Sequence, residues 1–265
     1  MKLPPIQGTF DQPGFFLYAA TDSIYFDRFG RSFIQSVINN TDHGLHLHLY
    51  NPTDEQILYC KSHPRVSVTY ESIPLELFDR VAKHWQSSNL NSKQQESLRR
   101  TRVAMQKDND QSLNQRMQKT YYACARFVRL AQLVGPAQKF FALDADAVVR
   151  KPVPVMSDNV DLHIYRVYKK DPRFLAGGIY VCGTAGSFDF LQTYSTNLRQ
   201  FIDQDQLYWS LDQDLLNQTV PNYGWKDLPI EFIDWHMTPN SAIWTAKGTK
   251  KNLEVFINEQ KKYIS

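Results

Sequence analysis

The stretch Phe140-Phe141-Ala142-Leu143-Asp144-Ala145-Asp146-Ala147-Val148-Val149 is apolar except for two acids one residue apart. A buried strand excludes unpaired charge, because taking a carboxylate out of water costs several kcal/mol. Strand side chains repeat every two residues, so Asp144 and Asp146 point to one side, roughly 6–7 Å apart along the strand. If the strand ends there, both face the crevice beyond its carboxyl end, where open α/β sheets take their ligands. Two neighbouring hard oxygen donors suit Mg²⁺ or Mn²⁺ shared with a substrate's phosphates. The competing reading is a pair of solvated turn residues, and the apolar flanks weigh against it.

The rest of the chain supplies a sheet for such a strand. Phe15 to Ala20 reads as a short buried strand ending in Thr21-Asp22-Ser23. A helix follows, with Phe29, Phe33, Ile34, Val37 and Ile38 on one face, closed by Asn39 to Asp42. Leu45 to Tyr50 alternates cleanly as a second strand, Asn51 to Asp54 caps another helix, and Val66 to Tyr70 is a third strand. This alternation predicts an α/β fold with a mostly parallel central sheet flanked by helices. Residues 83–119 are polar and Gln/Arg-rich, and read as a helical or mobile insert whose cations Arg99, Arg100, Arg102 and Lys107 mark a solvated face, with contact to an acidic acceptor or a membrane surface as the other reading. A helix from Thr120 to Leu133, strands over 160–167 and 176–181, helices over 188–201 and 211–218, and an aromatic then basic tail over 235–265 complete the pattern. With no repeats and no long linker, residues 1–265 read as one domain.

Composition narrows the partners. A net charge of +3 and the lack of basic-aromatic clusters argue against nucleic acid. Cys60, Cys124 and Cys182 are scattered, with neither metal nor redox spacing, and fit buried thiols in a reducing compartment. The sequence shows no signal-peptide core and no run able to span a bilayer, so a cytoplasmic protein is expected, with peripheral membrane contact left open.

Five segments in order resemble the GT-A glycosyltransferases, most closely the retaining glycosyltransferase family 8 with its glycogenin-like members. They are Tyr18-Ala19-Ala20-Thr21-Asp22-Ser23-Ile24-Tyr25, Tyr121-Tyr122-Ala123-Cys124-Ala125-Arg126, Leu143 to Val149, Ala176-Gly177-Gly178-Ile179-Tyr180-Val181, and Leu211-Asp212-Gln213-Asp214-Leu215-Leu216-Asn217. The resemblance implies a GT-A (Rossmann-like) fold with a helical insert before the D-x-D strand. It implies a hexosyltransferase-type enzyme that moves a sugar from a nucleotide-sugar donor, a UDP-sugar, to a glycan or other hydroxyl acceptor with retention. Mn²⁺ or Mg²⁺ would sit on Asp144 and Asp146. Ala20, Asp22, Tyr25, Arg126, Gly177 and Gly178 would meet the donor, and Asp212 and Gln213 would lie near its anomeric carbon. The tail, through Lys247, Gly248 and Lys251, would clamp the leaving diphosphate.

One departure stands out. Thr245 occupies the place where the family supplies a third metal ligand, a His, before its Gly-x-x-Lys element. His236 is the candidate replacement, with a packing role as the other reading. Two alternatives therefore stay open: a non-catalytic nucleotide- or sugar-binding module derived from the fold, and a nucleotidyltransferase. The second would want a Gly/Lys-rich phosphate loop after the first strand, which Ala20-Thr21-Asp22-Ser23 lacks.

Overall fold

The computed structural model describes residues 3–86, 90, 92–108, 112–157, 159–167 and 173–264. In chain order its strands are β1 (Gln7–Gly8), β2 (Phe16–Asp22), β3 (Gly44–Tyr50), β4 (Val66–Glu71), β5 (Phe140–Leu143), β6 (Val148–Val149), β7 (Leu162–Val167), β8 (Arg173–Val181), β9 (Trp225–Asp227), β10 (Ile233–Asp234) and β11 (Ile243–Trp244). Its helices are α1 (Ser23–Tyr25), α2 (Arg31–Asn40), α3 (Asp54–Lys61), α4 (Glu76–Gln86), α5 (Ser92–Asp108), α6 (Leu113–Leu133), α7 (Ala185–Asp203), α8 (Leu211–Thr219) and α9 (Glu254–Lys261). A π-helical turn, Phe26–Gly30, joins α1 to α2, and a 3-10 turn, Gly248–Asn252, precedes α9.

Among the described residues eight strands form the main sheet, in the order β1-β4-β3-β2-β5-β8-β7-β9. Its centre, β4-β3-β2-β5, is parallel, and β8 runs antiparallel to both β5 and β7. The chain lays β2, β3 and β4 outward to one side, then returns through α4, α5 and α6 to place β5 on the other side of β2. That reversal is a topological switch point, and it opens a crevice at the carboxyl ends of β2 and β5.

Both faces of the centre are covered, which explains why β2 is apolar from Phe16 to Ala20. Phe16 and Tyr18 pack with Tyr121, Cys124 and Val128 of α6. Leu17 and Ala19, on the opposite face, pack with Phe33, Ile34 and Val37 of α2. The alternation of β3 separates two kinds of interior. Leu45, Leu47 and Leu49 face the α2 layer, whereas His46 and His48 are fully buried on the other face. Hydrogen bonds make that burial tolerable: His46 meets Ser67 Oγ at 2.8 Å and Thr69 Oγ1 at 2.9 Å. Glu71, also buried, is held by Arg129 and lies 3.7 Å from His48.

The insert is ordered helix over its described part. Phe78, Val81 and Trp85 of α4 and Leu98 of α5 are buried in the α6 layer. α6 begins at Leu113, earlier than its apolar periodicity suggests, because the Ser112 hydroxyl caps it by accepting from the Gln115 N–H at 3.2 Å. Arg99 pairs with Glu96 on its own helix, and Arg100 reaches Asp214 at 3.1 Å. The side chain of Lys107 lies outside the described residues. The three cysteines are free and buried. Among the described residues no helix is long and apolar enough to cross a membrane.

Candidate active site at the switch point

The crevice is built from four directions. β2 delivers Asp22, β5 delivers the acidic turn, α6 delivers Arg126, and the C-terminal tail delivers Lys251. β5 stops at Leu143, and the Ala147 N–H donates to the Asp144 carbonyl at 3.0 Å, so Asp144 and Asp146 occupy a turn rather than continued strand. The chain then re-enters as β6, whose partner β11 brings the tail alongside.

Asp22 ends β2 and caps α1, its Oδ1 accepting from the Tyr25 N–H at 2.7 Å. Burial raises its carboxyl above the ordinary range against the pull of that hydrogen bond. The cap aims Tyr25 across the crevice, where its hydroxyl donates to Asp146 Oδ2 at 2.5 Å. Ala20 precedes this turn, half-buried. Beside it Tyr50 and Tyr122 stack with ring centroids 4.5 Å apart, and the charge of Asp22 reaches Tyr122.

Arg126 is the inner cation. Its Nη1 lies 2.5 Å from Asp144 Oδ1, and its Nη2 lies 3.9 Å from Asp212 Oδ2. Burial opposes ionisation of Asp144, but Arg126, aided by Lys251 and Lys247, outweighs it and holds this carboxyl below the ordinary range. Asp212 goes the other way: burial raises it, and Arg126 offsets only part of that. Gly177 makes room for Asp144, because a Cβ there would lie 2.7 Å from the carboxyl Cγ. Gly178 serves packing instead, its missing side chain leaving space for Tyr165.

Lys251 is the outer cation. Its Nζ sits 2.7 Å from Asp146 Oδ2 and also donates to the Tyr25 hydroxyl. The ammonium lies over the Tyr25 ring at 4.7 Å and the Phe29 ring at 5.7 Å. Thr245 Oγ1 stands 3.5 Å from Asp146 Oδ1. Burial raises the Asp146 carboxyl above the ordinary range in spite of Lys251. Lys247 is exposed and lies 5.0 Å from the Trp235 ring, next to Gly248 at φ +60. A left-handed residue there lets the 3-10 turn begin.

Of two further expected residues, His236 points elsewhere and Gln213 is shared between the crevice and the sheet. The ring of His236 is exposed, and its backbone N–H donates to Asp234 at 2.7 Å. Gln213 is turned toward β8. Its amide end stands 3.4 Å from Asp212 Oδ2, and in the orientation that satisfies both amide atoms its nitrogen donates to the Phe174 carbonyl at 3.1 Å and its oxygen accepts from the Ala176 N–H at 2.9 Å. β5 pairs with β8 only from Gly178 onward, so α8 satisfies backbone groups that β5 leaves open. Helix α8 itself starts from Ser210, in left-handed backbone at φ 73, with Asp212 in its first turn rather than at the cap.

Sequence reasoning placed Tyr25 only as a donor contact and missed its hydrogen bond to Asp146. The partners lie 121 residues apart, and nothing local signals the contact.

These residues do not fit a resident divalent ion. Octahedral oxygen coordination needs open carboxylate oxygens. The Asp146 side chain is 4 % exposed, with Lys251 and Tyr25 on Oδ2 and Thr245 beside Oδ1. Among the described residues no third His, Cys, Asp or Glu side chain joins Asp144 and Asp146 as a group of ligands, and Arg126 already takes an oxygen of Asp144.

No family model and no curated protein matches this sequence. Solved structures do. The galactosyltransferase LgtC, with donor and acceptor sugar analogues, aligns over 93 % of this chain and 95 % of its own at TM-score 0.53 and 13 % identity. An active-site mutant of LgtC aligns over 88 % and 87 % at TM-score 0.51 and 12 % identity. The bifunctional glycosyltransferase WbbM aligns over 96 % of this chain and 50 % of its own at TM-score 0.52 and 13 % identity. The fold is that of the GT-A glycosyltransferases. In that GT-A frame the acidic turn, Arg126 and the tail surround the crevice at the switch point.

Proposed function

We propose that the chain is a glycosyltransferase that moves a sugar from a nucleoside-diphosphate donor, a UDP-sugar, to a hydroxyl of a glycan or similar acceptor, with retention. One observation carries the reading: a parallel-sheet switch point holds three buried or half-buried acids, Asp144, Asp146 and Asp212, interleaved with Arg126 and Lys251. Such alternation of fixed charge suits a ligand that is itself anionic at one end and hydroxyl-rich at the other. It is a preorganised field of the kind that stabilises charge developing on a leaving group.

In the reaction the acceptor oxygen bonds to the anomeric carbon while the bond from that carbon to the diphosphate oxygen breaks. The acceptor's proton goes to the departing phosphate. Lys251 and Lys247 supply positive charge where the diphosphate gathers negative charge. Asp212, anchored through its backbone carbonyl by the Tyr194 hydroxyl at 2.8 Å, supports positive character on the sugar. Tyr25 closes the nucleotide side, Gly177 leaves Asp144 the space a side chain would take, and residues 1–265 act as one unit. No step passes through a divalent ion, whose binding at Asp144 and Asp146 the family resemblance implies and the donor set does not favour.

Gln213 gives a second reading some support, since β8 engages its amide beside Asp212. A module that binds the donor without transferring it would look the same. Hydrolysis or transfer from UDP-glucose and UDP-galactose separates the two. Released UDP supports the enzyme; saturable binding with no release from any donor–acceptor pair favours the module.

A further inference from the structure

We propose that Lys251 is the resident cation of this centre, seated on Asp146 so that a nucleoside diphosphate binds without a divalent ion. The inference rests on the donor reading above and adds how that site neutralises its ligand. Four observations converge. The seat is built for an ammonium: a buried carboxylate at 2.7 Å, a phenol oxygen, and two aromatic faces at 4.7 and 5.7 Å. Carboxylate and ring faces together are what a desolvated cation prefers.

The lysine is also positioned, not trailing. β11 clamps the tail to β6, Lys250 Nζ donates to the Trp235 carbonyl at 2.9 Å, and Asn252 accepts from Arg28 at 3.0 Å. Flanking anchors on both sides of residue 251 fix the ammonium over the acidic turn. Third, Thr245 fills the remaining face of Asp146 with a neutral hydroxyl, and the His236 ring is exposed to solvent. Fourth, the seat still opens to the crevice, since the Lys251 side chain keeps 23 % exposure. An ammonium carries three donors. Asp146 and Tyr25 engage two among the described residues, which leaves one for a phosphate oxygen.

The experiment is isothermal titration calorimetry of the full chain with UDP, GDP, ADP and CMP, in EDTA and again with Mn²⁺. For wild type, one nucleotide should bind in EDTA with an affinity within about twofold of that in Mn²⁺. Lys251→Met should weaken EDTA binding by about 10- to 100-fold, the loss expected for one charge-assisted hydrogen bond. Lys251→Arg, which keeps the charge if the apolar variant misfolds, should retain most of it. Wild-type binding that appears only with Mn²⁺ would overturn the inference and leave the donor reading intact. Lys251→Met binding in EDTA as tightly as wild type would do the same. No binding of any nucleotide under either condition would overturn the donor reading and this inference with it.

Discussion

Asp144 and Asp146 stand one residue apart on the same turn, yet the two sides of that turn are built differently. The inner side belongs to the scaffold: Arg126 rises from the middle of α6, packed under β2, with the Tyr18 hydroxyl donating to its carbonyl at 2.7 Å. The outer side belongs to the tail, where Lys251 arrives through a short 3-10 turn after Gly248. Asp144 keeps 45 % side-chain exposure with a buried partner, while Asp146 keeps 4 % with a partly open one. One pair therefore holds the crevice together, and the other presents a cation to what enters it.

Substitutions can break that contrast. Arg126→Met should have the largest effect on stability. It strands Asp212 in the interior and Asp144 at its edge, and losing one partner of a buried pair costs about 3 kcal/mol, read by urea unfolding. Gly177→Ala should come next at roughly 1–3 kcal/mol, because the new methyl overlaps Asp144 and must push it off Arg126. Nucleotide affinity should fall with it. If Gly177→Ala instead binds nucleotide normally, Asp144 has no place in the donor site.

The tail should show the reverse balance. Tyr25→Phe removes one hydrogen bond to Asp146, worth about 1 kcal/mol or somewhat more to a charged acceptor. Its loss should fall on nucleotide affinity in titration calorimetry more than on the unfolding midpoint. Equal losses in both would place Tyr25 in the scaffold group with Arg126.

A control comes from the far layer. Burial pushes His46 down to about 3 from an ordinary value of 6.5. The unfolded chain therefore takes up a proton that the folded one refuses. The stabilising contribution is full above pH 6.5 and is lost as pH falls toward 3, by about 1.4 kcal/mol per pH unit. His48, shifted in the same direction by its burial, adds to the slope. His46→Gln should flatten the decline in stability below pH 6.5 and leave nucleotide binding at neutral pH unchanged.

The same contrast governs how much the sequence revealed. The scaffold side was legible. β2, β3 and β4 are long enough for apolar runs to show, and Asp144 and Asp146 interrupt an apolar run in a way only a strand end tolerates. Arg126 was marked only by the resemblance, as a donor contact, and its place against Asp144 and Asp212 comes from the packing of α6 under β2. The tail side was not legible in the same way. β6, β10 and β11 are two residues each, too short for any period to emerge. What joins Lys251 to Asp146 is the pairing of β11 with β6, a contact between distant segments. Gln213 illustrates a further limit: its residue type suits a sugar site, but the early stop of β5 creates a backbone need that its amide meets. The alternation of β3 marks a strand with two unlike faces, but only Ser67, Thr69 and Glu71 on distant β4 make the histidine face a buried polar layer.

The measurement that tests the central claim most directly is release of free nucleoside diphosphate from UDP-, GDP- and ADP-sugars by wild type and Asp212→Asn. The predicted result is release from one nucleotide class by wild type, reduced by about 100-fold or more in the variant, as for loss of a group that acts on developing charge. Absence of release from every donor by folded wild type, or release undiminished in Asp212→Asn, would contradict sugar transfer at this crevice.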